Sequence, residues 1–285
     1  MAEWRFDAIG VPWSIETAQD IDPSVRQRIS SRIDAFDHAY SRFRDDSLVA
    51  EVANRPGDYE FPNDLPDLIA LYDSLFEVTR GAINPLVGRA LEHWGYDANY
   101  RLAPLEGHPP PVPSLKESLS VTGSTLHAPR PVLLDIGAVG KGFLVDRVAD
   151  ILAEAGVHDS VVDGSGDIRH SGEHAERVGL EHPDHPDQVV GVARLQNQSL
   201  AASATNRRSW PGAHHILDAV TGTPTRSIRA SWVVADSCAV ADGLATALFT
   251  TAPETLAEHF SFEWVVVDGD NQLVMSPSFP GEVFR

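Results

Sequence analysis

Asp135-Ile136-Gly137-Ala138-Val139-Gly140-Lys141-Gly142 joins two apolar patterns of different period. An apolar run, Val132 to Ile136, leads into it, and an amphipathic pattern, Phe143 to Ala155, leaves it and stops at Gly156. The spacing predicts a strand, a glycine turn and a helix, in that order. Glycines this dense let a backbone approach a ligand closely, and the start of the following helix favours an anion such as phosphate. Lys141, inside the turn, is one of only two lysines in the chain, and the other, Lys116, lies in a proline-rich loop. A lysine at a helix start opposes the helix dipole, so its placement asks for an anionic ligand. Asp135 ends an apolar run, where a carboxylate needs a partner; it can cap the glycine turn or contact a ligand.

The segment Ala241-Asp242-Gly243-Leu244-Ala245-Thr246 complements this turn. In a helical pattern Asp242 and Thr246 fall on one face. Two hard oxygen donors side by side suit Mg²⁺ held against a diphosphate. Phosphate plus magnesium is therefore the chemistry these residues point to.

Helical periodicity continues on both sides. Asp22-Pro23 reads as a cap with proline in first position, and Val25, Ile29, Ile33, Phe36 and Tyr40 follow on one face. A second helix is expected from Leu65 to Arg80, stopped by Gly81, and a short one after Pro85 carries Trp94 to the core. Residues 103–113 hold five prolines and read as loop. The helix Ser237 to Phe249 and a shorter one near Pro253 complete the set. Strands are expected around Phe6 to Ile15 and at Ser160 to Val162, Val189 to Leu195, His214 to Leu217, Ser231 to Ala235, Trp264 to Val267 and Leu273 to Met275. Strand runs segregated from helices predict an α+β fold. With no repeat and no long linker, 1–285 reads as one large domain.

Composition narrows the function. The 285 residues are 42% hydrophobic and carry a net charge of -19, which argues against nucleic acid as a partner. No stretch is long and apolar enough to predict a membrane span. The start of the chain lacks a basic segment followed by an apolar run, so no signal peptide is expected and a cytoplasmic protein, or one whose leader has been removed, fits best. The single cysteine, Cys238, excludes an internal disulfide and reads as a small buried hydrophobe.

Six blocks in order carry a family resemblance: Ser41 to Ser47 with Asn54; Gly81-Ala82-Ile83-Asn84-Pro85 with Trp94-Gly95-Tyr96; Asp135 to Asp146; Asp163 to Ile168; Ser203 to Arg208 with His214 to Asp218 and Thr221 to Pro224; and Asp236-Ser237 with Asp242 and Thr246. Together they resemble the ApbE family of FAD:protein FMN transferases along nearly the whole chain. There are departures. Asn84 stands where the family more often has aspartate, Ile9-Gly10-Val11 replaces an early methionine-glycine-threonine that packs on the flavin, and no proline follows Asp218.

The resemblance implies an ApbE-like, T-fold-like arrangement of mixed sheets flanked by helices. It implies Mg²⁺ held by Asp242, Thr246 and the backbone carbonyl of Ala138. FAD contacts are implied at Ile9, Phe43, Ala82, Ile83, Asn84, Asp135, Lys141 and Ile216. The reaction implied is Mg²⁺-dependent transfer of FMN from FAD to a serine or threonine hydroxyl of an acceptor flavoprotein, releasing AMP. With water as nucleophile the same site becomes an FAD diphosphatase giving FMN and AMP; a non-catalytic FAD-binding protein would not need the metal. His214 and His215, in one alternating strand, would face opposite sides, and a neutral imidazole is a suitable general base. The family pattern favours His215. His174, His182 and His185 lie among Glu, Asp and Pro and read as a solvated loop, and Gly164-Ser165-Gly166-Asp167 lacks the rest of a dinucleotide fingerprint.

Overall fold

The structure, a computed structural model, describes residues 2–284. The segment read as one strand around Phe6 to Ile15 is a hairpin. Ala2–Ala8 and Val11–Thr17 pair antiparallel around Ile9 (φ 47°) and Gly10 (φ 76°). Left-handed turn residues match the twist of paired strands, although a β-branched residue is strained there.

The hairpin forms one end of an eight-stranded antiparallel sheet. From Val11–Thr17 the order continues through Ser160–Asp163, Asp167–Ser171, Ser199–Ala204, Ile228–Ala235, Glu263–Asp268 and Leu273–Met275. Alternation sorts the side chains into two layers. Ile15, Val162, Ala201, Val233 and Val266 face the helices, whereas Leu200, Trp232, Val234 and Val265 face a second core. That core is shared with a three-stranded sheet, Glu176–Glu181, Val189–Leu195 and Gly281–Val283, through Leu180, Val190, Ala193 and Leu195. Antiparallel sheets with helices in a separate layer make this an α+β fold.

The helices follow their caps. Pro23–Tyr40 starts at Asp22, whose carboxylate accepts the Ser24 N–H at 2.8 Å, and it buries Val25, Ile29, Ile33, Phe36 and Tyr40. Leu65–Val78 runs out through Gly81, whose N–H returns to the Phe76 carbonyl at 2.8 Å. Cys238–Ala247 is capped by a residue on another helix, Gly140–Glu154: the Asp146 carboxylate accepts the N–H groups of Cys238 and Ala239 at 3.0 Å and the Ser237 hydroxyl at 2.8 Å. These two helices pack together on the sheet. Their crossing requires glycine at 142, because a Cβ there would lie 2.6 Å from the Cys238 carbonyl carbon and 2.8 Å from the Asp242 Cβ.

Two expected strands are absent. Val132 to Ile136 is buried in part but joins no sheet; its backbone bonds go to the Val52 carbonyl at Val132 and the Pro85 carbonyl at Asp135. An apolar run reports burial, not ladder pairing. His214 to Leu217 is split between two-residue pairings, Ala213–His214 with Ser209–Trp210 and Leu217–Asp218 with Thr223–Pro224. Alternation therefore does not set the sides on which the two histidines lie. The helix Leu48–Asn54 and the strands Gly57–Glu60, Ser120–Thr122, Thr125–Ala128, Asp167–Ser171, Glu176–Glu181 and Ser199–Ala204 were not foreseen.

Candidate active site

Between the glycine turn, the start of the helix layer and the loops around Tyr96 and His215 lies a cavity of about 720 Å³. This is within the size range of small-molecule and cofactor sites. Ile9, Phe43, Ala82, Ile83, Asn84, Asp135, Ala138, Lys141, His215, Ile216, Asp242 and Thr246 all line it. These residues, from five of the six sequence blocks with Ile9 from outside them, thus border one space.

At its base is a cluster of charge. The Asp242 carboxylate is 3% exposed and accepts the Gly142 N–H at 3.0 Å, across the contact that Gly142 permits. The Lys141 ammonium is ion-paired with Asp167, itself fully buried. Burial works against the lysine charge, but Asp167 and Asp242 outweigh it and hold the ammonium protonated. The anion that a lysine at a helix start asks for is thus supplied by the protein itself. Burial, and then the charge of Asp167, push Asp242 well above the usual carboxylate range. Two carboxylates share one ammonium here, and Asp167 Oδ1 is buried without a hydrogen-bond partner. Such an excess of buried carboxylate is relieved by a further cation.

These residues fit a divalent cation in that respect. The Thr246 hydroxyl lies one helical turn from Asp242, 3.3 Å from the Ser203 hydroxyl, and Ala138 borders the same space. Among the described residues no group of three His, Cys, Asp or Glu side chains is arranged to hold a metal alone. A cation would depend on Asp242, Thr246, backbone oxygen and substrate or water, a donor set magnesium accepts.

Asp135 resolves into both of its readings. One carboxylate oxygen accepts the Gly137 N–H at 2.7 Å, capping the glycine turn, and the other pairs with Arg42. The Arg42 side chain is 2% exposed, lies over Phe43 and Tyr96 at 4.3 and 4.7 Å, and leaves Nη1 and Nη2 unpartnered. Asn84 lines the cavity, but its amide is used elsewhere: Oδ1 accepts the Leu86 N–H and Nδ2 donates to the Pro113 carbonyl, each at 2.9 Å. A carboxylate could not make the second bond.

The two histidines differ. His214 has both ring nitrogens occupied, by the Thr225 carbonyl at 2.8 Å and the Ile216 N–H at 3.2 Å, which fixes it as a structural residue. His215 has Nδ1 3.3 Å from the Arg208 carbonyl, an arrangement that asks Nδ1 to carry the proton. Among the described residues no partner faces Nε2, so its lone pair is open. Burial, then the charge of Arg208, push the His215 pKa down to about 3, leaving the imidazole neutral. His182 and His185 lie with ring centres 4.8 Å apart and planes tilted by 47° in the segment where a solvated loop was expected.

Arg42, Tyr96, Ser203 and Arg208 were not singled out in the sequence as individual residues, although all four line the cavity. They lie inside the blocks quoted above, and a buried arginine beside an aromatic was the one local signal available.

The ApbE family model matches residues 9–263. The chain belongs to the ApbE family. Among relatives of this family, a protein named FAD:protein FMN transferase from Rhodobacter capsulatus is 27% identical over 76% of the chain, which spans 44% of that relative. Its namesake from Vibrio cholerae is 27% identical over 81% of the chain and 74% of its own length. Two solved ApbE structures share the fold at 22% identity. The ApbE protein from Thermotoga maritima superposes with a TM-score of 0.83 over 99% of both chains, and the flavin transferase ApbE from Vibrio cholerae with 0.79 over 98% of both. Among the described residues no helix is long and apolar enough to cross a membrane.

Proposed function

We propose that this ApbE-family chain transfers FMN from FAD to a serine or threonine hydroxyl of an acceptor protein, with Mg²⁺ bound and AMP released. One observation carries the reading. A buried carboxylate-rich cluster at Asp242 and an imidazole with an open nitrogen at His215 border the same cavity.

His215 accepts the acceptor's hydroxyl proton at Nε2, and the oxygen attacks the phosphorus on the FMN side of the diphosphate. An O–P bond forms, the bond to the AMP phosphate breaks, and AMP leaves with its electron pair. Asp242, Thr246 and the Ala138 carbonyl are the residues to hold the cation. Bound there, it neutralises charge developing on the leaving phosphate. Asp167 and Lys141 form the ion pair beside Asp242, and Lys141 borders the space the diphosphate would take. Ile9, Phe43, Ala82, Ile83 and Ile216 supply apolar wall against which the flavin packs, and Asp135 orients the glycine turn.

The test is mass spectrometry of candidate acceptor proteins after incubation with the chain, FAD and Mg²⁺, with AMP followed in parallel. Covalently added FMN and equal AMP are expected, both lost on Asp242→Ala and on chelation. FMN and AMP accumulating with every acceptor unlabelled would replace the transferase reading with a hydrolase.

A further inference from the structure

Five lysine or arginine side chains line the cavity, and among the described residues four are committed to ion pairs. Arg42 pairs with Asp135, Arg44 with Asp37 and Asp46, Lys141 with Asp167, and Arg207 with Glu181 at 2.6 Å. Of these five, Arg208 alone forms no ion pair among the described residues. Acidic partners are plentiful in a chain of net charge -19. Its guanidinium lies 5.7 Å from the centre of the Tyr96 ring, and its carbonyl accepts the His215 N–H at 3.2 Å. The free cation and the open imidazole are thus tied through one backbone.

We propose that Arg208 is a phosphate contact of the site, its guanidinium taking oxygens of the FAD diphosphate beside His215. The inference rests on the functional reading above. A guanidinium offers paired donors that match phosphate oxygens, and stacking on an aromatic face positions it without neutralising it. A dinucleotide also needs local positive charge to approach a protein this acidic. Among the other cavity cations Arg42 keeps Nη1 and Nη2 open, but its charge is matched by Asp135 through Nε.

The same contact acts on His215. The groups facing that ring are Arg208, His214, Asp135 and the edge of Tyr96. After burial, Arg208 contributes most to keeping the imidazole unprotonated. An anion seated on Arg208 cancels that charge, so the base strengthens when the diphosphate arrives.

The experiment compares wild type, Arg208→Gln and Arg208→Lys in Mg²⁺, with FAD, riboflavin and inorganic pyrophosphate as probes in calorimetric titrations. Arg208→Gln should weaken FAD and pyrophosphate by about 10- to 100-fold, the scale of a lost charge-assisted bond, with riboflavin unchanged. Arg208→Lys should recover part of the loss. In wild type, pyrophosphate should raise the His215 pKa followed by imidazole NMR, and in Arg208→Gln it should not. Arg208→Gln binding FAD and pyrophosphate as wild type does overturns the assignment; so does a defect confined to KM for the acceptor, which would place Arg208 on the acceptor protein. A wild type that binds no FAD overturns the functional reading itself, a distinguishable result.

Discussion

Gly142→Ala tests how the helix crossing builds the site. The added methyl would lie 2.6 Å from the Cys238 carbonyl carbon and 2.8 Å from the Asp242 Cβ, so the two helices must separate. Overpacking of this kind costs about 1–3 kcal/mol. Separation also breaks the 3.0 Å bond from the Gly142 N–H to the Asp242 carboxylate, worth roughly 1.5–3 kcal/mol for a charged acceptor. Against these stands a helix-propensity gain of at most about 1 kcal/mol, reduced here because residue 142 lies in the first helical turn. The net loss expected is about 2–4 kcal/mol, or several degrees in Tm for a chain of this size. Urea unfolding monitored by tryptophan fluorescence gives the stability, and AMP release at saturating Mg²⁺ and FAD gives the activity, which should fall with it because Asp242 loses its anchor. A Gly142→Ala protein with wild-type stability and turnover would refute the claim that this contact positions Asp242.

Lys141→Ala should be damaging to the fold itself, since it leaves Asp167 and Asp242 buried without a cation; breaking a buried pair this way costs about 3–5 kcal/mol, and a Tm equal to wild type would contradict the burial argument. His215 should stay neutral in imidazole NMR of the free protein from pH 8 to about 4.5, because its pKa lies near 3, and a midpoint near the ordinary value of about 6.5 would be the wrong outcome. The sign for stability follows: below about 6.5 the unfolded chain binds this proton while the folded one does not, so stability from His215 is lost as pH falls towards its folded pKa. His215→Ala should slow transfer by about 10²- to 10⁴-fold with FAD affinity nearly unchanged, and unaltered transfer would remove it as the base. Asn84→Asp removes the donor to the Pro113 carbonyl and should cost about 1–3 kcal/mol in denaturant unfolding; no change would mean that the proline loop is held by other contacts.

Much was legible in the chain alone. The helices beginning at Asp22-Pro23 and at Ser237, and the one following the glycine turn, announced themselves through caps and through apolar residues at helical spacing. Such signals are local, because a helix satisfies its own backbone. The Asp242 and Thr246 pair was legible for the same reason. The family resemblance named twelve residues, eleven of them inside the quoted blocks, that the fold then gathered around one cavity.

Other features depended on distant partners. Ser199–Ala204 is a central strand made of serine, alanine and one leucine, with no β signature of its own; it is a strand because Asp167–Ser171 and Ile228–Ala235 flank it. Val132 to Ile136 has the signature and is not a strand, because its backbone finds single carbonyls instead of a neighbour. The sequence by itself determined the helices, the turns and which residue types could do phosphate and metal chemistry. Only the tertiary structure decided that Lys141 belongs to Asp167, that His214 is spent on Thr225 while His215 stays open, and that Arg208 is the cavity cation without an ion pair among the described residues. Pairing among charged and polar groups is set by proximity in space and by burial, and neither is encoded in spacing along the chain.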